Sequence, residues 1–280
     1  RLEDSAVLEL QGQRLCFTTD SYVVSPLFFP GGDIGSLAVH GTINDLAMSG
    51  GSPLALSCGF IIEEGFPLEQ LRRICSSMAA AAQRAGVQIV TGDTKVVPKG
   101  TGDGVYINTS GIGIIPCKEN ISVEQIQSGD VIIVNGTIGD HGAAILSVRE
   151  GLGLQSPLLS DSAPLNGLVS SLLKAGSRIH CMRDATRGGL GAILAEIAGQ
   201  SGFHMSIAES SIPVHEQVRG VCEMLGFDPL FLANEGKMAV FCSPDDAGKV
   251  LAAMQAHEYG RNAAVIGRVH EKGQGRLILN

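Results

Sequence analysis

Val131-Ile132-Ile133-Val134-Asn135-Gly136-Thr137-Ile138-Gly139-Asp140-His141-Gly142 reads as a short, fully apolar strand that passes through a glycine-rich turn into a helix. Four consecutive β-branched residues suit a strand buried on both faces, and the helix that follows supplies a layer to cover it. The same succession returns downstream, where a strand leads into Asp184-Ala185-Thr186-Arg187-Gly188-Gly189 and a helix through Ala198. Further signals predict strands over 204–208, 237–241, 265–269 and 277–279, with helices over 214–225 and 245–257.

Upstream, residues 7–22 read as a hairpin around Gly12, residues 34–48 as a helix and residues 54–62 as a strand. Leu68, Leu71, Cys75, Met78 and Ala82 recur at helical spacing, between Pro67 as a start and Gly86 as a stop. Strands over 87–97 and 105–115 close this half. The proline and charges of 116–120 interrupt the apolar pattern, as a linker does. The reading is α/β (α+β) with two domains, 1–116 and 117–280.

The chain has 280 residues, 44% of them hydrophobic, enough for two cores. A formal charge of -8 with no basic run argues against nucleic acid as a partner, because phosphate-backbone affinity needs clustered Lys and Arg. Absence of Trp and few aromatics leave no stacking platform for single strands. Seven widely spaced cysteines without a CxxC pair read as buried thiols of a reducing compartment, so a cytoplasmic location is expected. No apolar run is long enough for a membrane span, and the chain starts at Arg1 without an export signal.

There is no Walker A sequence and no G-x-G-x-x-G, so any nucleotide site must be of another kind. Asp20 ends a strand, where a turn residue is the plainer reading. Asn44-Asp45 interrupts an apolar helix; its carboxylate must face water, find a partner or bind a cation. In Gly92-Asp93-Thr94-Lys95, Gly92 can admit a ligand to the backbone, Asp93 can hold Mg²⁺ and Lys95 can meet a phosphoryl group, though a tight turn accounts for it equally. Gly139-Asp140-His141-Gly142 opens a helix, whose free N–H groups favour an anion. Asp184 and Thr186 occupy a polar glycine turn of the same form, and Glu235 in Asn234-Glu235-Gly236-Lys237 could act as a base or belong to a hairpin turn. Three separated carboxylates suit Mg²⁺ and not zinc.

Taken in order, these segments resemble the superfamily of aminoimidazole ribonucleotide synthetase, selenophosphate synthetase and thiamine-monophosphate kinase, and within it the hydrogenase-maturation HypE carbamoyl dehydratases. The resemblance rests on Thr18-Thr19-Asp20-Ser21-Tyr22-Val23, residues 26–32 (PLFFPGG), Asn44-Asp45, Ser57-Cys58-Gly59-Phe60-Ile61, residues 91–97 (TGDTKVV), residues 139–142, 183–189 and 233–237. It implies a two-domain PurM-like fold whose N-terminal strands form a barrel across a homodimer, with ATP in the cleft between domains. Asp20, Asp45 and Asp93 would hold Mg²⁺ on the phosphates, with Asn44 and Asp140 nearby and Lys95 and Glu235 at the reacting group. The implied reaction is ATP-dependent dehydration of a C-terminal cysteine S-carboxamide to a thiocyanate. Its implied partners are HypF as carbamoyl donor and a HypC–HypD complex as cyanide acceptor. The family also has an N-terminal His-Gly-Ser-Gly-Gly segment and a Pro-Arg-Ile-Cys end, whereas this sequence runs from Arg1 to Leu277-Ile278-Leu279-Asn280. Folding and dimerisation are therefore expected of it, and turnover is not. A small-molecule kinase of the same superfamily and a nucleotide-binding maturation scaffold without chemistry are the alternative readings.

Overall fold

A computed structural model of the chain describes residues 3–116, 120–153 and 158–280; Cys117 and the middle of the expected linker lie outside them. The chain begins with the expected hairpin, β1 (Ala6–Leu10) and β2 (Gln13–Tyr22), with Leu10 opposite Gln13. Its two-residue turn has positive φ at both Gln11 (50°) and Gly12 (79°), the twist that matches paired strands. A small ribbon, β3 (Phe28–Phe29) and β4 (Gly32–Asp33), leads into α1 (Ile34–Met48). Asp33 caps that helix by accepting the N–H groups of Gly35 and Ser36, and the Ser36 hydroxyl accepts the Asp33 N–H in return. Next come β5 (Ser52–Glu63), α2 (Leu68–Ala85), β6 (Gln88–Val97) and β7 (Val105–Ile114). The sheet order is β1-β2-β7-β5-β6, with only β5 and β6 parallel among its described pairs.

The second half contains β8 (Val131–Val134), α3 (Asp140–Arg149), α4 (Asn166–Lys174), β9 (Ile179–Asp184), α5 (Gly189–Ser201), β10 (Phe203–Ile207), α6 (Glu216–Leu225), β11 (Met238–Cys242), α7 (Ala247–Gln255), β12 (Ala264–Lys272) and β13 (Leu277–Leu279). Its sheet runs β13-β10-β12-β8-β11-β9. Along β8, Ile132 and Val134 enter a core shared with α5, while Val131 and Ile133 enter a second core shared with α4 and α7. Burial on both faces is why this strand carries no polar residue. Helix α4 goes beyond the expected elements; it covers the second core with Leu168, Val169 and Leu172.

The first sheet is covered on one face only. Cys16, Thr18 and Tyr22 of β2 turn inward, while Phe17, Thr19 and Ser21 are exposed. Edge strand β6 leaves Val90 62% and Val96 68% exposed. Helix α1, buried on nearly every side, joins the halves: Ile34, Leu37, Val39 and Ile43 pack in the first core, and Ala47 and Met48 in a core of the second. Asn44 and Asp45 are thereby held at the junction.

His40, on the same helix, is buried, with Nδ1 3.0 Å from the Ser162 hydroxyl. Burial and the nearby Arg84 push its imidazole down to about 4. An unfolded chain takes up this proton near pH 6.5 and the folded chain does not, so the contribution is intact above that pH and is lost as pH falls towards 4. The wild type is expected to lose up to about 3 kcal/mol over that window relative to a His40→Gln variant, measured as the difference between their urea midpoints against pH.

Candidate functional site

The end of β2, the middle of α1 and the turn between β9 and α5 enclose a cleft of about 960 Å³. Asp20 comes from the strand, Asp45 from the helix, and Asp184, Thr186 and Arg187 from the turn. Asp4 enters from the segment before β1, and Glu235 from the loop before β11. One carboxylate oxygen from each of Asp4, Asp45 and Asp184 lies within 4.8 Å of the other two. The Thr18 hydroxyl is 2.8 Å from Asp45 Oδ2, Tyr22 donates to Asp20 Oδ2 at 3.3 Å, and Arg183 Nε approaches Asp4 Oδ1 at 2.6 Å. Asp4 Oδ2 is buried without a hydrogen-bond partner.

This crowding of like charge governs the electrostatics. Burial first, then Asp184, Asp4 and Asp20, push the Asp45 carboxyl up to about 10. Burial and Asp184 hold Asp4 well above the usual carboxylate range. Asp184 rises to about 6 because burial outweighs the Arg183 guanidinium beside it. Burial, Asp184, Asp161 and Asp20 likewise raise Glu235 well above its ordinary value. Such a set ionises together only with a cation to offset it, and an all-oxygen donor set is that of a hard divalent ion.

The Glu235 loop is held by its main chain. The Gly139 N–H is donated to Asn234 Oδ1 at 2.7 Å, and Asn234 Nδ2 donates to the Ala185 carbonyl at 2.9 Å. The Glu235 carbonyl accepts from Asn44 Nδ2 at 3.2 Å. Asn44 donates as well to the Ala163 carbonyl at 3.0 Å and accepts from the Leu165 N–H at 2.8 Å. Its amide is committed to clamping two segments, and Asn44 does not line the cleft: within one chain it is a brace. Gly139 gives its N–H to Asn234 for the same reason. Asp140 Oδ2 accepts from Thr137 at 2.6 Å; neither Gly139 nor Asp140 lines the cleft, whereas His141 does.

Gly92, Asp93 and Lys95 lie apart from the others within one chain. They lie within the exposed edge strand β6, neither in a turn nor in the cleft. A Cβ on Gly92 would overlap the Cys58 carbonyl oxygen, so close approach of the neighbouring strand explains this glycine. Register sets Asp93 opposite Gly59, Gly59 opposite Asn108 and Asn108 opposite Ser21. Three strand spacings put Asp93 about 14 Å from the β2 site. Asp93 instead pairs with Lys95 at 3.0 Å in solvent, and the Lys95 hydrogen bond lowers its carboxyl. Within one chain the acidic set is therefore Asp4, Asp45 and Asp184 with Asp20 beside them. Asp4 escaped the sequence reading, and its one signal was an acidic residue two positions before a strand.

Residues 2–115 match the family model "AIR synthase related protein, N-terminal domain", and residues 127–280 match its C-terminal counterpart. The carbamoyl dehydratase HypE of Azotobacter vinelandii is 57% identical over 95% of this chain, which spans 78% of that relative. A crystal structure of a HypE–HypF complex superposes with a TM-score of 0.95 at 50% identity, covering 99% of this chain and 90% of that one. HypE solved in complex with ATP superposes with a TM-score of 0.93 at 49% identity, covering 99% and 84%. The two-domain fold and likeness along nearly the whole length agree with the acid-lined cleft at the junction: this chain belongs to the HypE carbamoyl dehydratase family of AIR synthase related proteins.

Proposed function

We propose that the cleft binds ATP on its carboxylates and converts the S-carboxamide of a C-terminal cysteine to a thiocyanate, supplying cyanide for the metal centre of a NiFe hydrogenase. The observation that carries this reading is the convergence of Asp4, Asp45, Asp184 and Glu235 in one cleft. Their oxygen donors and the unpartnered Asp4 Oδ2 fit Mg²⁺, which when bound would offset negative charge on the phosphates.

An amide oxygen leaves poorly, so the carboxamide oxygen first attacks the γ-phosphorus, releasing ADP and a proton and forming an O-phosphorylated imidate. Arg187, lining the cleft, offsets charge on the transferring group. Glu235 then takes the remaining nitrogen proton; the C–O bond breaks, phosphate departs, and a carbon–nitrogen triple bond is left on sulfur. Burial and the neighbouring carboxylates favour the neutral form of Glu235. With a cation held by Asp4, Asp45 and Asp184, Glu235 would shift towards the ionised form that a base requires. The chain extended by a carbamoylated Pro-Arg-Ile-Cys tail and given ATP is expected to lose the mass of one water. Retention of the carboxamide mass while ADP forms would contradict the dehydration.

HypF is the carbamoyl donor in this account and a HypC–HypD pair the acceptor, all in the cytoplasm; among the described residues no helix is long and apolar enough to cross a membrane. The reading divides the chain into an ATP-binding, dimerising domain over 1–116 and a second domain over 117–280. A homodimer closing the open sheet face into a barrel would cover Phe17, Ile61 and Ile114 and carry Asp93 and Lys95, which share that face, against a second copy. Those two residues would join an ATP site by that route. Sedimentation is expected to give the mass of two chains, and Phe17→Lys with Ile61→Lys the mass of one. A monomeric wild type at micromolar concentration would remove the barrel.

A further inference from the structure

Directly behind the Glu235 loop lies a carboxylate that the chemistry above does not use. The Asp161 side chain is 4% exposed and sits in the segment 158–165 that crosses between the two halves. Its Oδ1 accepts the Glu235 N–H at 3.1 Å. Its Oδ2 accepts the Gly236 N–H at 3.2 Å and the Lys237 ammonium at 2.9 Å. Three consecutive residues are thus tied to one carboxyl group. Contact is close enough that a Cβ on Gly236 would overlap the Asp161 carbonyl oxygen.

Asp161 is fixed from the other side too. Ser160 donates its N–H to the Pro30 carbonyl at 2.8 Å, and its hydroxyl meets His141 Nδ1 at 2.8 Å. Ser162 meets His40, and Asn44, next to Asp45, grips Ala163 and Leu165. The segment is therefore referenced to α1, the helix that carries Asp45, while its carboxylate sets the backbone that presents Glu235. Burial alone would raise the Asp161 carboxyl. Lys237 and the donated N–H groups instead keep it below the ordinary range, so it stays ionised and holds all three bonds.

We infer that Asp161 is the positioning residue of the dehydration: through its paired bonds to the Glu235 and Gly236 amides it fixes the Glu235 carboxylate relative to Asp45 on α1. This rests on the reading of Glu235 as the base. Asn in place of Asp161 can accept from one amide and turns an N–H₂ towards the other amide or the ammonium. Misplacement of a base by about 1 Å costs about 100-fold in rate without touching nucleotide contacts.

The test uses the chain with its carbamoylated tail, following water loss by mass, ATP affinity by titration and folding by thermal melting. For Asp161→Asn, a turnover rate down about 100-fold with ATP affinity unchanged is expected. Asp161→Glu keeps the charge and the Lys237 pair but is one methylene too long to meet both amides at their present distances. It is expected to lower turnover less, again at constant ATP affinity, and it decides the matter if the Asn variant does not fold. Wild-type turnover in either folded variant, or parallel loss of turnover and ATP affinity, would overturn the inference. An inactive wild type in the same assay would instead remove the dehydration reading on which the inference rests.

Discussion

Replacing Glu235 with Gln is expected to slow nitrile formation about 10²- to 10⁴-fold while ATP affinity changes less than about twofold. Gln is isosteric with the neutral acid, the state that burial and the neighbouring carboxylates favour before a cation arrives. The loop's anchoring bonds run through main-chain atoms of residue 235 and are untouched. Only proton removal is lost. ADP formation should therefore continue and the phosphorylated imidate should accumulate, visible as a tail carrying added phosphate mass. Full nitrile formation by the variant would show that another group takes the proton; loss of ATP binding would show that Glu235 holds the nucleotide.

Asp45→Asn is expected to produce opposite changes in two measurements. The ligand-free variant should melt at least about 3 °C higher than wild type, since it removes one member of a mutually repelling, buried set. The sign follows from proton binding. Asp45 has a folded value raised to about 10 from 3.8, so the folded chain retains a proton that the unfolded chain releases. Its stability contribution falls as pH rises through that window. The melting advantage of Asn should accordingly be small near pH 4 and grow towards pH 9. Magnesium and ATP together, at 100 times their dissociation constant, should stabilise wild type by about 2.7 kcal/mol. They should stabilise the variant far less, because a carboxylate proposed to hold the ion is gone. Calorimetry with and without the two ligands reads both effects, and a variant that melts lower without ligand would contradict the crowding of charge at Asp45.

Much of this arrangement was readable from local pattern because local physics decides it. The all-apolar face of α1 marks a helix with partners on every side, and a carboxylate at Asp45 within it must face water, find a partner or bind a cation. The turn at 184–189 joins a buried strand to a helix, and the structure puts Asp184 and Thr186 in the cleft as that form suggests. What sequence could not convey was contact between distant segments. Asp4 and Asp184 are 180 positions apart, and nothing near either announces the other. Asn44 looks like a ligand residue until the carbonyls of Ala163 and Glu235 are found at its amide. Gly92 has two physical meanings, ligand approach or strand approach, and only the Cys58 carbonyl across the bulged β5–β6 pair chooses the second. Helix α4 shows its apolar spacing, but its role depends on a core assembled from β8, β11 and α7.

The most direct measurement is the position of the cation. Crystals grown with ATP and Mn²⁺ in place of Mg²⁺, recorded at the manganese absorption edge, give an anomalous peak wherever the ion sits. The carboxylate account predicts that peak among Asp4, Asp45 and Asp184, against the phosphates. A peak elsewhere, with those three aspartates making no contact to ion or nucleotide, would contradict it.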